Sequence, residues 1–87
     1  MKKTARWRRG EYKKRRYLCK GEWRVAEGYE MDFLLDGQLQ ASFIAEPDYH
    51  SNVFYLKGCI VVKYASYVPK TRVLPFGEDN KSFEIEV

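Results

Sequence analysis

Three polar–glycine pairs, Lys20-Gly21, Asp36-Gly37 and Lys57-Gly58, each lie between short apolar runs and restrict the fold of this 87-residue chain more than any other feature. Such pairs are the turn chemistry of tight β-hairpins, because Gly takes a left-handed backbone without a Cβ penalty. Around Asp36-Gly37 the apolar residues occupy odd positions on both sides: Met31, Phe33 and Leu35 before, Leu39, Ala41, Phe43 and Ala45 after. A two-residue loop would pair Phe33 with Gln40 and Met31 with Ser42, placing polar residues on the apolar face. A type I turn over Leu34 to Gly37 with a G1 bulge at Gly37 instead pairs Phe33 with Leu39, Met31 with Ala41 and Tyr29 with Phe43. The same design at Tyr55 to Gly58 pairs Phe54 with Ile60, and at Leu18 to Gly21 it pairs Tyr17 with Trp23.

These turns punctuate eight expected strands, at 15–19, 22–26, 29–35, 38–45, 52–56, 59–68, 71–75 and 82–87. Pro69 and Pro75 confine their neighbours to edges or strand ends, and Phe83, Ile85 and Val87 alternate with Ser82, Glu84 and Glu86 as a half-buried strand does. No long segment has helical periodicity. The fold class expected is all-β, a small antiparallel barrel or sandwich built from tight hairpins, with a basic N-terminal arm over residues 1–14 and a single all-β domain over 15–87.

The arm is a matter of charge. Ten of the first twenty residues are Lys or Arg and only Glu11 is acidic, so this end carries +9, while residues 21–87 carry six cations against eleven carboxylates, or −5. Its apolar residues, Ala5, Trp7, Tyr12, Tyr17 and Leu18, follow neither a helical stripe nor strict alternation, and Gly10 interrupts them. Residues 1 to about 13 are therefore expected to be irregular until a partner orders them.

Composition excludes several classes. Hydrophobic content of 45% with seven Tyr, five Phe and two Trp lies outside the disordered range. Arg6, Arg8 and Arg9 stand where a secretory signal needs an apolar run, and no apolar stretch is long enough for a membrane helix, so a cytoplasmic protein without membrane contact is expected. Cys19 and Cys59 do not make a disulfide framework and read as reduced thiols, the other reading being a bridge between two strands.

Chemical groups are few. His50, the only histidine, lies in the turn-like segment Asp48 to Ser51, and its pairing with Cys59 as base and nucleophile is weaker than a surface histidine. Two Cys and one His without a Cys-x-x-Cys knuckle give no metal site, and no Gly-rich phosphate loop is present, so no catalytic residue and no cofactor are assigned. Glu27, Glu30, Asp32 and Asp36 read as a solvated acidic face.

The function expected is a small nucleic-acid-binding protein that contacts the phosphate backbone of RNA or DNA without strong sequence specificity. Its contacts would be Lys2, Lys3, Arg6, Arg8, Arg9, Lys13, Lys14, Arg15 and Arg16, with Trp7 and Tyr12 stacking on unpaired bases for roughly 1 to 3 kcal/mol each. The alternative is a protein-interaction module, such as a subunit of a ribonucleoprotein or a phage-type inhibitor of a nucleic-acid-handling machine. There Glu30, Asp32, Glu84 and Glu86 would supply the contact, with Tyr49, Tyr55, Tyr64 and Tyr67 as anchors. The strand at 82–87, if an edge, would allow a homodimer.

Overall fold

In the computed structural model, which describes residues 1–59 and 62–87, Lys20-Gly21 and Asp36-Gly37 are two-residue turns with both residues left-handed. Their φ angles are 52° and 77° in the first and 48° and 79° in the second, the type I′ pattern that matches the twist of flanking strands. They join β1 (Lys2–Cys19), β2 (Glu22–Leu35) and β3 (Gln38–Asp48) into a continuous antiparallel meander. After it come β4 (Val53–Lys57), a 3-10 helix at Val62–Tyr67, β5 (Val73–Pro75), a 3-10 turn at Glu78–Asn80 and β6 (Ser82–Glu86). The six strands form one sheet in the order β5-β4-β3-β2-β1-β6, curled into a half-barrel whose edges are β5 and β6.

The expected registers are corrected. At Asp36-Gly37 the rejected two-residue loop is the one formed: Leu35 faces Gln38 and Leu34 faces Leu39. The conflict of faces is resolved one step later by a bulge, so that Phe33 faces Ala41, Met31 faces Phe43 and Tyr29 faces Ala45. Gln40 is the extra residue, and its side-chain oxygen accepts the Tyr64 hydroxyl at 2.6 Å. At Lys20-Gly21, Leu18 faces Trp23 and Tyr17 faces Arg24, not Trp23. The strand expected over 59–68 is absent from 62–67, which are 3-10 helix, and Ile60, the expected partner of Phe54, lies outside the described residues. The strands expected at 22–26 and 29–35 are one strand, β2.

Nor are residues 2–13 irregular: the whole basic segment lies in β1, paired with β2 from Ala5 to Cys19 and with β6 over Lys2 to Arg6. Position 14, the expected end of the arm, lies inside it. The physical reason is a second bulge. Between Arg9 facing Met31 and Tyr12 facing Tyr29, Gly10 and Glu11 oppose the single residue Glu30. Residues 5, 7 and 9 therefore share a face with 12, 14, 16 and 18, a parity change that hides the alternation.

On the inner face Ala5, Trp7, Met31, Phe33, Phe43, Ala45, Phe54, Leu56, Leu74 and Ile85 make one core. Trp7, 3% exposed, stacks on Phe33 with ring centroids 5.1 Å apart. The 62–67 helix crosses the open side of the sheet: Tyr64 meets Phe33 edge-on, and the Tyr67 hydroxyl donates to the Glu86 carbonyl of β6 at 2.7 Å.

Beyond Tyr29, β2 leaves β3, and residues 12–28 continue as a two-stranded hairpin. Gly28 sets its base, since a Cβ there would lie 2.2 Å from the Ala45 carbonyl oxygen and 2.7 Å from its carbon. Its tip is joined to the end of β4 by a Cys19–Cys59 disulfide, with Cα atoms 5.4 Å apart, which corrects the reading of two reduced thiols. No helix among the described residues is long and apolar enough to cross a membrane.

If the N-terminal segment is core structure, Trp7→Ala should lower unfolding free energy in urea by about 3 to 5 kcal/mol, as large-to-small core changes do. An appended arm would give a change near zero. Gly28→Ala, forced against backbone, should cost at least about 1 to 3 kcal/mol in the same assay.

Candidate nucleic-acid interface

The cations of β1 separate into two groups. On the outer face of the sheet Arg8 donates to Asp32 at 3.1 Å, Lys13 to Glu30 at 2.9 Å, and Arg15 lies 3.8 Å from the same Glu30. Arg15 also reaches the Ser42 hydroxyl and carbonyl on β3, each at 3.4 Å. Arg9 turns the other way, onto Asp79 at 3.5 Å and over the Tyr29 ring at 5.4 Å. Lys2 sits 3.8 Å from Glu84. Lys3, Arg6, Lys14, Arg16 and Lys20 have no acidic partner among the described residues.

Of these five, Lys14, Arg16 and Lys20 belong to the distal hairpin. Strand alternation gives that hairpin two faces. One carries Lys14, Arg16, Leu18, Trp23 and Val25 toward solvent, with Leu18, Trp23 and Val25 51%, 63% and 55% exposed. The Arg16 guanidinium lies 4.9 Å from the Trp23 ring centroid, which holds both in place and leaves the indole exposed.

The other face presents Tyr17, Cys19 and Arg24 to β4. With Lys20 they form one wall of a cleft of about 380 Å³ whose opposite wall is Tyr55, Lys57, Gly58, Thr71 and Arg72. Among the described residues four cations line it and no carboxylate does; Arg24 pairs with Glu22, outside the lining, at 3.2 Å. Arg72 is the most firmly oriented of them. Its Nη1 donates to the Gly58 carbonyl at 2.6 Å and the Leu56 carbonyl at 3.3 Å, while its own carbonyl accepts the Leu56 N–H at 2.8 Å. These bonds hold a non-glycine residue left-handed at φ 58°, a conformation that persists only where the surroundings enforce it.

A second cleft, of about 480 Å³, lies at the other end of β1, lined by Thr4, Arg6, Arg8, Leu34, Asp36, Gly37 and Ser82. It contains a carboxylate, and its Arg8 is already committed to Asp32. Asp36 is committed as well: its Oδ1 accepts the Thr4 N–H at 3.0 Å, and its own N–H donates to the Thr4 carbonyl at 2.8 Å.

Several residues expected to contact a ligand are thus engaged within the fold. Trp7 is buried and cannot stack on a base, whereas Tyr12 is exposed but meets Tyr29 edge-on at 5.2 Å. The acidic residues of the alternative reading are similarly committed: Asp32 is buried against Arg8, Glu30 is shared by Lys13 and Arg15, Glu84 pairs with Lys2, and Glu86 with the N-terminal amine at 3.1 Å. Tyr64 is buried and Tyr67 half-buried, while Tyr49 and Tyr55 are exposed. The Tyr49 hydroxyl ionises above the ordinary tyrosine value because a side-chain hydrogen bond with Tyr29 favours its neutral form. His50 sits in a turn where the Asp48 carboxylate accepts its backbone N–H, and the disulfide removes Cys59 as a nucleophile.

Tyr17, Lys20, Trp23, Arg24, Lys57 and Arg72 were not among the expected nucleic-acid contacts. Lys20 and Lys57 were visible as turn residues, but only the tertiary path of the hairpin brings them together. Comparison with protein-family models, curated proteins and solved structures finds no match to this chain.

The division of charge has a stability consequence. Arg8→Ala, which leaves the buried Asp32 carboxylate without its partner, should lower unfolding free energy by about 1 to 3 kcal/mol. Arg6→Ala should change it by less than about 0.5 kcal/mol. Equal effects would show that the Arg8–Asp32 pair is not structural.

Proposed function

We propose that the protein binds nucleic acid, RNA or DNA, through the phosphate backbone, and that the contact lies on the distal hairpin and its cleft rather than along residues 1–9. The observation that carries this is the cleft lined by Lys20, Arg24, Lys57 and Arg72 without a carboxylate. Of these four only Arg24 has an acidic partner among the described residues, Glu22; the excess of like charge favours an anionic ligand, and each phosphate bound there releases condensed counterions. Lys14 and Arg16 extend the positive surface along the solvent face. The exposed Trp23 and Tyr55 rings provide stacking surfaces for unpaired bases, favouring single strands over duplex.

The sequence offers no recognition-helix, zinc-finger or RRM-type motif, and binding is proposed to be independent of sequence. The cytoplasm remains the proposed compartment. A disulfide is uncommon there except where it is transient or senses redox state.

Binding of a fluorescent single-stranded oligonucleotide to the oxidised chain should weaken linearly in log–log form as salt rises, with a slope of about −0.7 per phosphate contacted. Lys20→Gln and Lys14→Gln should each reduce that slope by up to about one contact, and Arg6→Gln should leave it unchanged. Loss of slope on Arg6→Gln alone would move the site back to the N-terminal end.

A further inference from the structure

The two walls of the cationic cleft come from separate parts of the fold. Tyr17, Cys19, Lys20 and Arg24 belong to the β1–β2 hairpin, whereas Lys57 and Arg72 follow from β4 and the turn before β5. Among the described residues, β2 from Gly28 outward has no ladder partner other than β1. Lys20 and Arg24 on one wall meet Lys57 and Arg72 on the other, and because Glu22 offsets only Arg24, the net Coulomb force between the walls is repulsive. The covalent connection opposing that repulsion is the Cys19–Cys59 bridge. It spans 40 residues of sequence and lies in the wall itself, since Cys19 lines the cleft.

We infer that this bridge is a redox switch on the nucleic-acid site: the oxidised chain holds both cationic walls against one ligand, and reduction separates them. The inference rests on the nucleic-acid reading above, and adds its regulation. A dithiol opens the bridge by thiolate attack on one sulfur, giving a mixed disulfide. Its second thiol then resolves this, so the dithiol leaves as a disulfide and both cysteines become thiols, two electrons and two protons having passed to the protein. Cys59 is exposed and Cys19 half-buried, so the bond is accessible to such a reagent. In the oxidised chain Cys59 Sγ lies 3.2 Å from the Leu18 carbonyl, and a thiol formed there by reduction would be only a weak donor to it. A ligand then meets two independent half-sites and loses the advantage of simultaneous engagement.

The test is fluorescence anisotropy with a labelled thymidine oligonucleotide at fixed salt. It compares the oxidised chain, the chain reduced with dithiothreitol, and the Cys19→Ser/Cys59→Ser double variant. The oxidised chain should bind at least about tenfold more tightly than the other two, and dithiothreitol should not alter the double variant. Lys57→Gln should weaken the oxidised chain by a larger factor than the reduced chain, because only the closed cleft brings Lys57 to a ligand held by the hairpin.

Equal, measurable affinity in the oxidised and reduced states overturns the switch and leaves the nucleic-acid reading intact. No binding in either state overturns both. Far-UV circular dichroism separates switching from unfolding: loss of the sheet signal on reduction, accompanying loss of binding, overturns the switch in favour of a structural staple.

Discussion

The pairing of β1 with β2 is the constraint from which the rest of the molecule follows. It runs from Ala5 facing Leu35 to Cys19 facing Glu22, interrupted only at the Gly10–Glu11 bulge. On the near side of the bulge the pair belongs to the sheet: Ala5 and Trp7 enter the core, and β6 docks on the other edge of β1. On the far side it leaves the sheet as a free-standing hairpin. A two-stranded ribbon is marginal by itself in water, so the tip needs a tether, and here that tether is covalent.

The same division sorts the charge. Within the sheet Arg8 finds Asp32 on the strand next to it, and at the base of the hairpin Lys13 and Arg15 reach back to Glu30. Along the hairpin β2 sets Val25 and Arg24 opposite Arg16 and Tyr17, and although Glu27 faces Lys14 and Glu22 faces Cys19, no ion pair to Lys14, Arg16 or Lys20 forms among the described residues. Lys57 and Arg72 add to the surplus because the fold brings β4 and the following turn under the hairpin. A chain of modest net charge thereby gains one surface where positive charge is in excess.

Much of this was legible in the residues, and the failures have definite causes. The turns at Lys20-Gly21 and Asp36-Gly37, the apolar set Met31, Phe33, Phe43 and Ala45, and the C-terminal strand all followed from alternation and glycine chemistry. The register at Asp36-Gly37 did not, because an extra residue at Gln40 restores the face after a two-residue loop, and a bulge leaves no mark in composition. The N-terminal segment was misread for the same reason. Ala5 and Trp7 alternate with Thr4, Arg6 and Arg8 as a strand does, but the bulge shifts the parity before Tyr12, and the density of charge drew attention from it. The cleft was beyond reach, since its two walls are far apart in sequence.

Amide hydrogen exchange, measured residue by residue on the oxidised chain with and without a single-stranded oligonucleotide, tests the central claim most directly. That claim is that the basic N-terminal strand is structural and that the ligand is taken by the hairpin beyond it. The account predicts that residues 3–8 exchange only with global unfolding in both conditions, and that protection gained on binding falls on residues 14–24 and 55–58. Rapid exchange at Ala5 and Trp7 in the free protein, slowed by the oligonucleotide, would contradict it.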